Sequence, residues 1–384
     1  MCANFVYLKP RIKQISKNLQ FPLECIMSCN TNLSSQQEDS FSFDTEKFSL
    51  LKQRIERSTK ICLLSHTAPD GDAVGSVCGL CDALRSAYPE KDVQMILPNA
   101  IPRIVADLPL AKEVLIHHNG TTNQEAERVL LDADLICCLD FQSPKRVGNL
   151  LAPILTKSKA PKILIDHHLY PEENFFELSF SFPGMSSTAE LVYHCLQGMG
   201  LASAITPNCA QSLLCGIITD TGCFSYQSES PRVFCVVADL LSCGANKTLL
   251  IDQIFHRNTT GQVKLRGYVL DRKLQLIPEI GAAYFVLERE ELESFGVSDS
   301  DTEGFVNEPL AIEGIYYSFY IRRRETYLKI SLRSSGDRPV NDIATKLFGG
   351  GGHKNAAGAE YPNPDEAEKV AQMILEEIRN RKKI

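Results

Sequence analysis

The feature that most constrains this 384-residue chain is a set of short apolar runs that end on aspartate or histidine, with helical stretches between them. Ile61 to Leu64 leads into Ser65-His66, LICCL ends at Asp140, and ILI ends at Asp166-His167-His168. Runs of this length, bounded by turn-forming residues, read as buried strands. FSLLKQRIERS predicts a helix before the first run, and a Pro69-Asp70-Gly71 turn leads into a second from about Ala73 to Arg85. Strands alternating with helices imply an α/β fold with a mainly parallel sheet flanked by helices. Such sheets bind ligands beyond the carboxyl ends of their strands, where these polar residues fall.

A second unit follows. NKTLLIDQIFHRNTTGQVKLRGYVL reads as an amphipathic helical linker. Beyond it AAYFVLER, YYSFYIRR and TYLKISLR have strand composition, and DEAEKVAQMILEEIRNR has helical composition. The expected division is an extension over 1–44, a catalytic domain over 45–243, a helical linker over 244–275 and a smaller α+β domain over 276–384 across a cleft. The extension carries Lys9, Arg11, Lys13 and Lys17 before its first acidic residue, Glu24, which is the bias of an organelle-targeting peptide. The plainer reading is a disordered tail on a cytoplasmic protein.

The net charge of -7 argues against a general binder of long duplex DNA, whose surface is basic. No apolar run has the eighteen or so residues that span a bilayer, so no membrane is expected. The 14 cysteines include several inside apolar runs, such as Cys62, Cys137 and Cys138, where they act as small hydrophobes in a reducing compartment. Cys78-Gly79-Leu80-Cys81 has redox or zinc spacing but lies within a predicted helix and reads as core. His117-His118, in the polar loop HHNGTTNQ, reads as surface.

Four motifs carry the chemistry. In SHTAPDGDAVGS, His66 ends a strand, and Asp70 and Asp72 sit one residue apart on a tight turn that aims them at adjacent ions. Asp140 either bridges two metals or caps the turn after its strand. Asp166-His167-His168 is the third motif, and GIITDTGCF, with Asp220, is the fourth. Imidazoles with carboxylates suit Mn²⁺, with Mg²⁺ as the alternative, and the lack of thiolates argues against structural zinc. Near the C-terminus, the run Gly349 to Gly352 lets backbone N–H groups approach a phosphate, with His353 and Arg333 adding charge-assisted bonds.

The order H-x-x-x-D-x-D, D, D-H-H, D-T-G-x-F resembles the DHH phosphoesterase superfamily. SLRSSGDRPVNDIATKLFGGGGHKNAAG resembles its DHH-associated substrate domain. SSTAELVYHCL and DTEGFVNEPLAIEGI are similar to the nanoRNase/pAp-phosphatase group, and the likeness runs from about Lys47 to the C-terminus. The resemblance implies His66, Asp70 and Asp140 on one divalent ion, and Asp72, Asp140, His167 and Asp220 on the other, with Asp140 bridging. It implies that Asp166 orients a ligand imidazole, that His168 faces the substrate and protonates the leaving oxygen, and that Arg333, Gly350, Gly351, Gly352 and His353 bind substrate. Two metals about 3.5–4 Å apart would activate a shared water and neutralise phosphoryl charge.

The implied activity is hydrolysis of short single-stranded RNA oligonucleotides to mononucleotides, with 3′-phosphoadenosine 5′-phosphate as a second small-nucleotide substrate, by a monomer or homodimer. The alternatives are a cyclic-dinucleotide phosphodiesterase, whose larger members carry membrane and sensory segments absent here, and a catalytically silent nucleotide-binding regulator. All six ligand positions are filled, which favours an enzyme.

Overall fold

The computed structural model describes residues 45–381, apart from 119, 173, 299 and 303; the expected N-terminal extension lies outside the described residues. The helix expected before the first strand is α1 (Thr45–Arg57). Next come β1 (Lys60–Leu64), α2 (Gly71–Ala87), β2 (Asp92–Leu97), β3 (Leu115–Ile116), α3 (Gln124–Asp132) and β4 (Leu135–Leu139). Then follow α4 (Gly148–Lys157), β5 (Lys162–Asp166), β6 (Leu178–Ser181), α5 (Thr188–Gly198), α6 (Pro207–Asp220) and α7 (Pro231–Ser242).

The six strands form one parallel sheet in the order β3-β2-β1-β4-β5-β6. Every residue of β4 and β5 is buried, which is why these strands are continuous apolar runs with no polar alternation. Cys62, Leu64, Ile136, Cys138 and Leu164 pack on one face beneath α3 and α4, which contribute Ala126, Leu130, Leu151 and Leu155. The alternate side chains face the layer that contains α2 and α5. Strand order reverses between β1 and β4, so the crevice at the ends of these strands is the topological switch point. His66 and Asp140 flank it.

Helices α2 and α6 approach closely because α2 carries glycine every fourth residue, at 71, 75 and 79. A Cβ on Gly75 would collide with the Ser212 carbonyl and lie 2.9 Å from the Gly216 nitrogen; one on Gly79 would lie 2.6 Å from the Leu213 side chain. A Cβ on Gly216 would come within 2.7 Å of the Asp72 carboxylate. Backbone contact along this seam brings Asp72, in the first turn of α2, near Asp220, the last residue of α6.

The helical linker is two helices, α8 (Lys247–Phe255) and α9 (Thr260–Tyr268), the latter started by a capping box between Thr259 and Gln262. The second sheet is built from β7 (Gln275–Ile277), β8 (Ala282–Leu287), β9 (Tyr317–Arg323), β10 (Leu328–Ser334), β11 (Gly351–His353) and β12 (Ala356–Tyr361). Short α10 (Arg289–Ser294) follows β8, α11 (Asn341–Phe348) precedes β11, and α12 (Ala367–Arg381) closes the described chain. The order is β11-β12-β10-β9-β8-β7, with only β8 and β9 parallel. Phe319, Ile330 and Leu332 pack with Ile343 of α11 and with Val370 and Ile374 of α12. No single helix among the described residues is long and apolar enough to cross a membrane.

Three details sharpen or change the sequence reading. The glycine run is not a free loop: Gly349 ends α11 at φ 66°, and Gly351 and Gly352 belong to edge strand β11, paired with β12. A Cβ on Gly350 would strike the Gly358 carbonyl and lie 2.6 Å from the Ala359 Cβ, so part of the glycine requirement is strand-to-strand approach. Gly351 has open space around its Cα and remains exposed. His117 is not a surface residue: its side chain is 1% exposed and its Nε2 lies 3.1 Å from the Glu127 carboxylate of α3. Asp220, for which the sequence alone assigns no element, ends helix α6. Cys78 and Cys81 are buried in α2, in line with the core reading.

Candidate metal centre

The first motif folds as its residues dictate. His66 leaves β1 and its Nδ1 donates to the Thr67 carbonyl at 2.8 Å, which turns Nε2 toward Asp140 Oδ2 at 3.2 Å. Asp70 is the N-cap of α2, its Oδ1 accepting from the Asp72 and Ala73 amides at 3.0 Å each. The capping reading and the ligand reading of Asp70 are compatible, because its second oxygen is left for another partner. Asp72 is buried and sits where Thr188 N and Ala189 N, at the start of α5, donate to its two oxygens at 2.6 and 2.9 Å.

Asp140 follows β4 in the left-handed region, at φ 65°, which costs a non-glycine residue about 1–3 kcal/mol and persists only where the surroundings impose it. Its amide donates to the Ile165 carbonyl, and its Oδ1 accepts from the Thr188 hydroxyl at 2.8 Å. His167 places Nδ1 on the Met185 carbonyl at 3.3 Å. Its Nε2 then lies 3.4 Å from Asp220, 3.6 Å from Asp140 and 3.9 Å from Asp72. His66 and His167 thus share one arrangement, with Nδ1 on a backbone carbonyl and Nε2 aimed at carboxylates, as in a metal-binding imidazole.

His168 differs. Its Nδ1 donates to Asp166 Oδ1 at 2.7 Å, so Asp166 orients His168 and not His167, contrary to the sequence expectation. Carbonyl groups already fix both His66 and His167, which leaves Asp166 to this third ring. His353, from β11 of the second sheet, stacks on His168 with ring centres 4.7 Å apart and lies equally close to His167.

Charge distribution tests whether cations fit. Burial, reinforced by Asp140, Asp220 and Asp70, pushes the Asp72 carboxyl well above the usual range. Burial pushes Asp220 up to about 7, with Asp70 and Asp140 adding to the shift and His167 opposing it. Burial also works against ionised Asp140, but the hydrogen bond from His66 and the charges of the three histidines outweigh it and hold this carboxyl well below its ordinary value. Burial disfavours charged His168, yet the bond to Asp166 and the Asp140 charge raise it to about 9. His353 is driven down to about 3, first by burial and then by the charges of His167 and His168.

Four aspartates thus converge on one spot with too little positive charge to ionise them all. The donor atoms of His66, Asp70 and Asp140 lie within 4.8 Å of one another, as do those of Asp72, Asp140 and His167. The two sets share Asp140. Oxygen and imidazole donors in two overlapping groups, with excess carboxylate, fit a pair of divalent cations.

Sequence reasoning passed over three neighbours. Thr188 and Met185 hold side chains expected to bind metal, and the available signal was the S-x-x-E pattern Ser187-Thr188-Ala189-Glu190, whose serine caps the helix N-terminus. Arg146, whose carbonyl accepts from Thr67 N at 2.8 Å, places its charge near both His66 and His168 and makes no ion pair among the described residues. Arg333 lies on β10 with its charge felt at His353.

The switch point of a parallel sheet thus carries these residues, and a mixed sheet joined to it presents a histidine to them. Residues 60–217 match the DHH family, N-terminal domain, and residues 281–380 match the DHHA1 domain. This chain belongs to the DHH phosphoesterase family and is a hydrolase. It is 31% identical over 321 residues to the bifunctional oligoribonuclease and PAP phosphatase NrnA of Thermus thermophilus, covering 83% of this chain and 89% of that one. The Bacillus subtilis protein of the same description is 26% identical, over 81% of this chain and 92% of its own length. The crystal structure of an exopolyphosphatase-related protein from Bacteroides fragilis superposes with a TM-score of 0.82 at 37% identity, covering 88% of this chain and 98% of that one.

Proposed function

We propose that this protein hydrolyses short oligoribonucleotides to mononucleotides and 3′-phosphoadenosine 5′-phosphate to AMP, in the cytoplasm. It would use two divalent cations, manganese in preference to magnesium. His66, Asp70 and Asp140 would hold one cation, and Asp72, Asp140, His167 and Asp220 the other. When bound, the pair supplies an activated water and positive charge against the phosphoryl oxygens.

The protein's own groups do the rest. His168 has Nδ1 held by Asp166, a carboxylate that favours the protonated ring, and in that form its Nε2 carries a proton that can pass to the leaving oxygen. Neutral His353 and the Arg333 guanidinium hold the phosphate end of the substrate from the second sheet, and exposed Gly351 leaves the β11 edge open to the same group. The Arg146 guanidinium, whose charge acts on His66 and His168, would bind a non-bridging oxygen.

One observation carries the reading: the His353 ring sits 4.7 Å from those of both His167 and His168, so one unit's edge strand stands at the other's reacting centre. A phosphate clamp at that point would favour short chains and small nucleotides. The test is a panel with purified protein and Mn²⁺: di- to pentaribonucleotides, 3′-phosphoadenosine 5′-phosphate, cyclic di-AMP and pyrophosphate. Turnover of the short ribonucleotides and the 3′,5′-bisphosphate is expected. Turnover confined to cyclic di-AMP or pyrophosphate would refute the assignment.

A further inference from the structure

The fully buried Thr188 reaches the carboxylates of both ion sets from one residue. Its amide donates to Asp72 Oδ2 at 2.6 Å, and its hydroxyl donates to Asp140 Oδ1 at 2.8 Å. Asp72 and Asp140 belong to separate segments, one on the first turn of α2 and the other after β4, and the start of α5 ties them together. Asp140 Oδ2 meanwhile lies toward His66. With Oδ1 fixed by Thr188 and Oδ2 on the His66 side, the carboxylate plane is set across the gap between the two donor groups. This also accounts for how a non-glycine residue is held at φ 65°: side chain and amide are both anchored.

The support for Thr188 is itself rigid. Ser187 caps α5 by accepting from Glu190 N at 3.0 Å. The buried Glu190 carboxylate turns back to accept from Ser186 N at 2.7 Å and from Arg232 Nε at 2.8 Å. Arg232 also donates to the Gly184 carbonyl, so the segment that carries the Met185 carbonyl, the acceptor for His167, is clamped at both ends.

We infer that Thr188 is a positioning residue for the metal pair: its hydroxyl sets the bridging orientation of Asp140 while its amide sets Asp72. The inference rests on the proposed two-cation reading of the centre. Nothing in Thr188 would bind the ions or the substrate. Its effect is that the carboxylates of two separate segments are in place before a cation arrives, which lowers the reorganisation that binding requires.

The test is Mn²⁺ titration by calorimetry on the full chain, comparing wild type with Thr188→Val, Thr188→Ser and Thr188→Cys. Valine keeps the shape of threonine and removes the donor, so Mn²⁺ affinity should fall about 10–100-fold, the usual cost of losing a partner that orients a metal ligand. Serine restores the hydroxyl and should recover affinity to within a few-fold, whereas a merely structural role for the methyl group would weaken serine and leave valine near wild type. If valine prevents folding, cysteine, with its weak S–H donor, should show an intermediate loss. Wild type that binds fewer than two Mn²⁺ overturns the two-cation reading and this inference with it. Wild type that binds two, with valine or cysteine binding them equally well, overturns the role of Thr188 alone.

Discussion

Asp140 is the residue on which the centre turns, since both donor groups include it and its backbone is strained into place. Replacing it with alanine removes a donor from both sets at once. Turnover with Mn²⁺ should fall by about 10³-fold or more, at least the scale of losing a single preorganised stabiliser of a transition state, and bound metal measured by mass spectrometry should fall with it. Near wild-type activity would contradict a bridging role. Arg146→Gln should instead raise KM for short ribonucleotides about tenfold with metal content unchanged, the scale of one charge-assisted hydrogen bond. The Asp140 position could be singled out because it follows a buried apolar run and stands in order with three other motifs; alone, an aspartate there could equally cap the turn. Asp166 was legible as a participant but not in its partner, because a sequence shows which residues are adjacent and not which nitrogen of which ring a backbone carbonyl has already taken. His117 was misread for a related reason. A polar loop on both sides conceals that Glu127, ten residues on, returns to pair with the buried ring.

Strands β1, β4 and β5 and helix α2 could be read from apolar runs and turn chemistry, because buried parallel strands leave a composition signal and a Pro-Asp-Gly turn sets where a helix starts. The seam between α2 and α6 could not, since glycine every fourth residue has meaning only once the facing helix is known. That seam makes Gly75→Ala a sharp test. Alanine improves helix propensity by about 1 kcal/mol, yet its Cβ falls on the backbone of Ser212 and Gly216, and overpacking of that kind costs about 1–3 kcal/mol or more. Net destabilisation in chemical denaturation is expected, with weaker Mn²⁺ binding because Asp72 moves with α2. The start of α5 has its own signature in Glu190. Burial disfavours its charge, but His194 3.8 Å away and bonds from Arg232 and the Ser186 amide outweigh this and hold it at about 2, below its ordinary 4.5. Its contribution, on the order of 3 kcal/mol at 1.36 kcal/mol per unit, is therefore present in full above about pH 4.5 and is lost as pH falls toward 2. Glu190→Gln should flatten the stability profile across that window, and an unchanged acid limb would show that the pair contributes nothing.

At the scale of the molecule, the proposed function divides the work between the two sheets, and His353 is where that division can be tested. The GGGH run stood out in the sequence as a candidate phosphate-binding feature, but its strand pairing did not, since glycine-rich segments carry almost no strand signal until a partner edge is present. In the fold, His353 is the ring that β11 delivers to the metal face, while all six expected cation donors come from the first sheet and its helices. His353→Ala should therefore separate binding from metal loading. The Mn²⁺ content and Mn²⁺-dependent rise in melting temperature should match wild type, because no donor has been removed. KM for di- and triribonucleotides should rise, or kcat fall, by about 10- to 100-fold, the scale of one lost charge-assisted contact to phosphate. The loss should be smaller for a long single strand, which gains least from a contact that recognises a nearby end. If metal content falls in the alanine variant, the second sheet is part of the cation centre and the division is wrong. If metal is retained and all substrate lengths are affected alike, His353 serves the reaction but does not select for length.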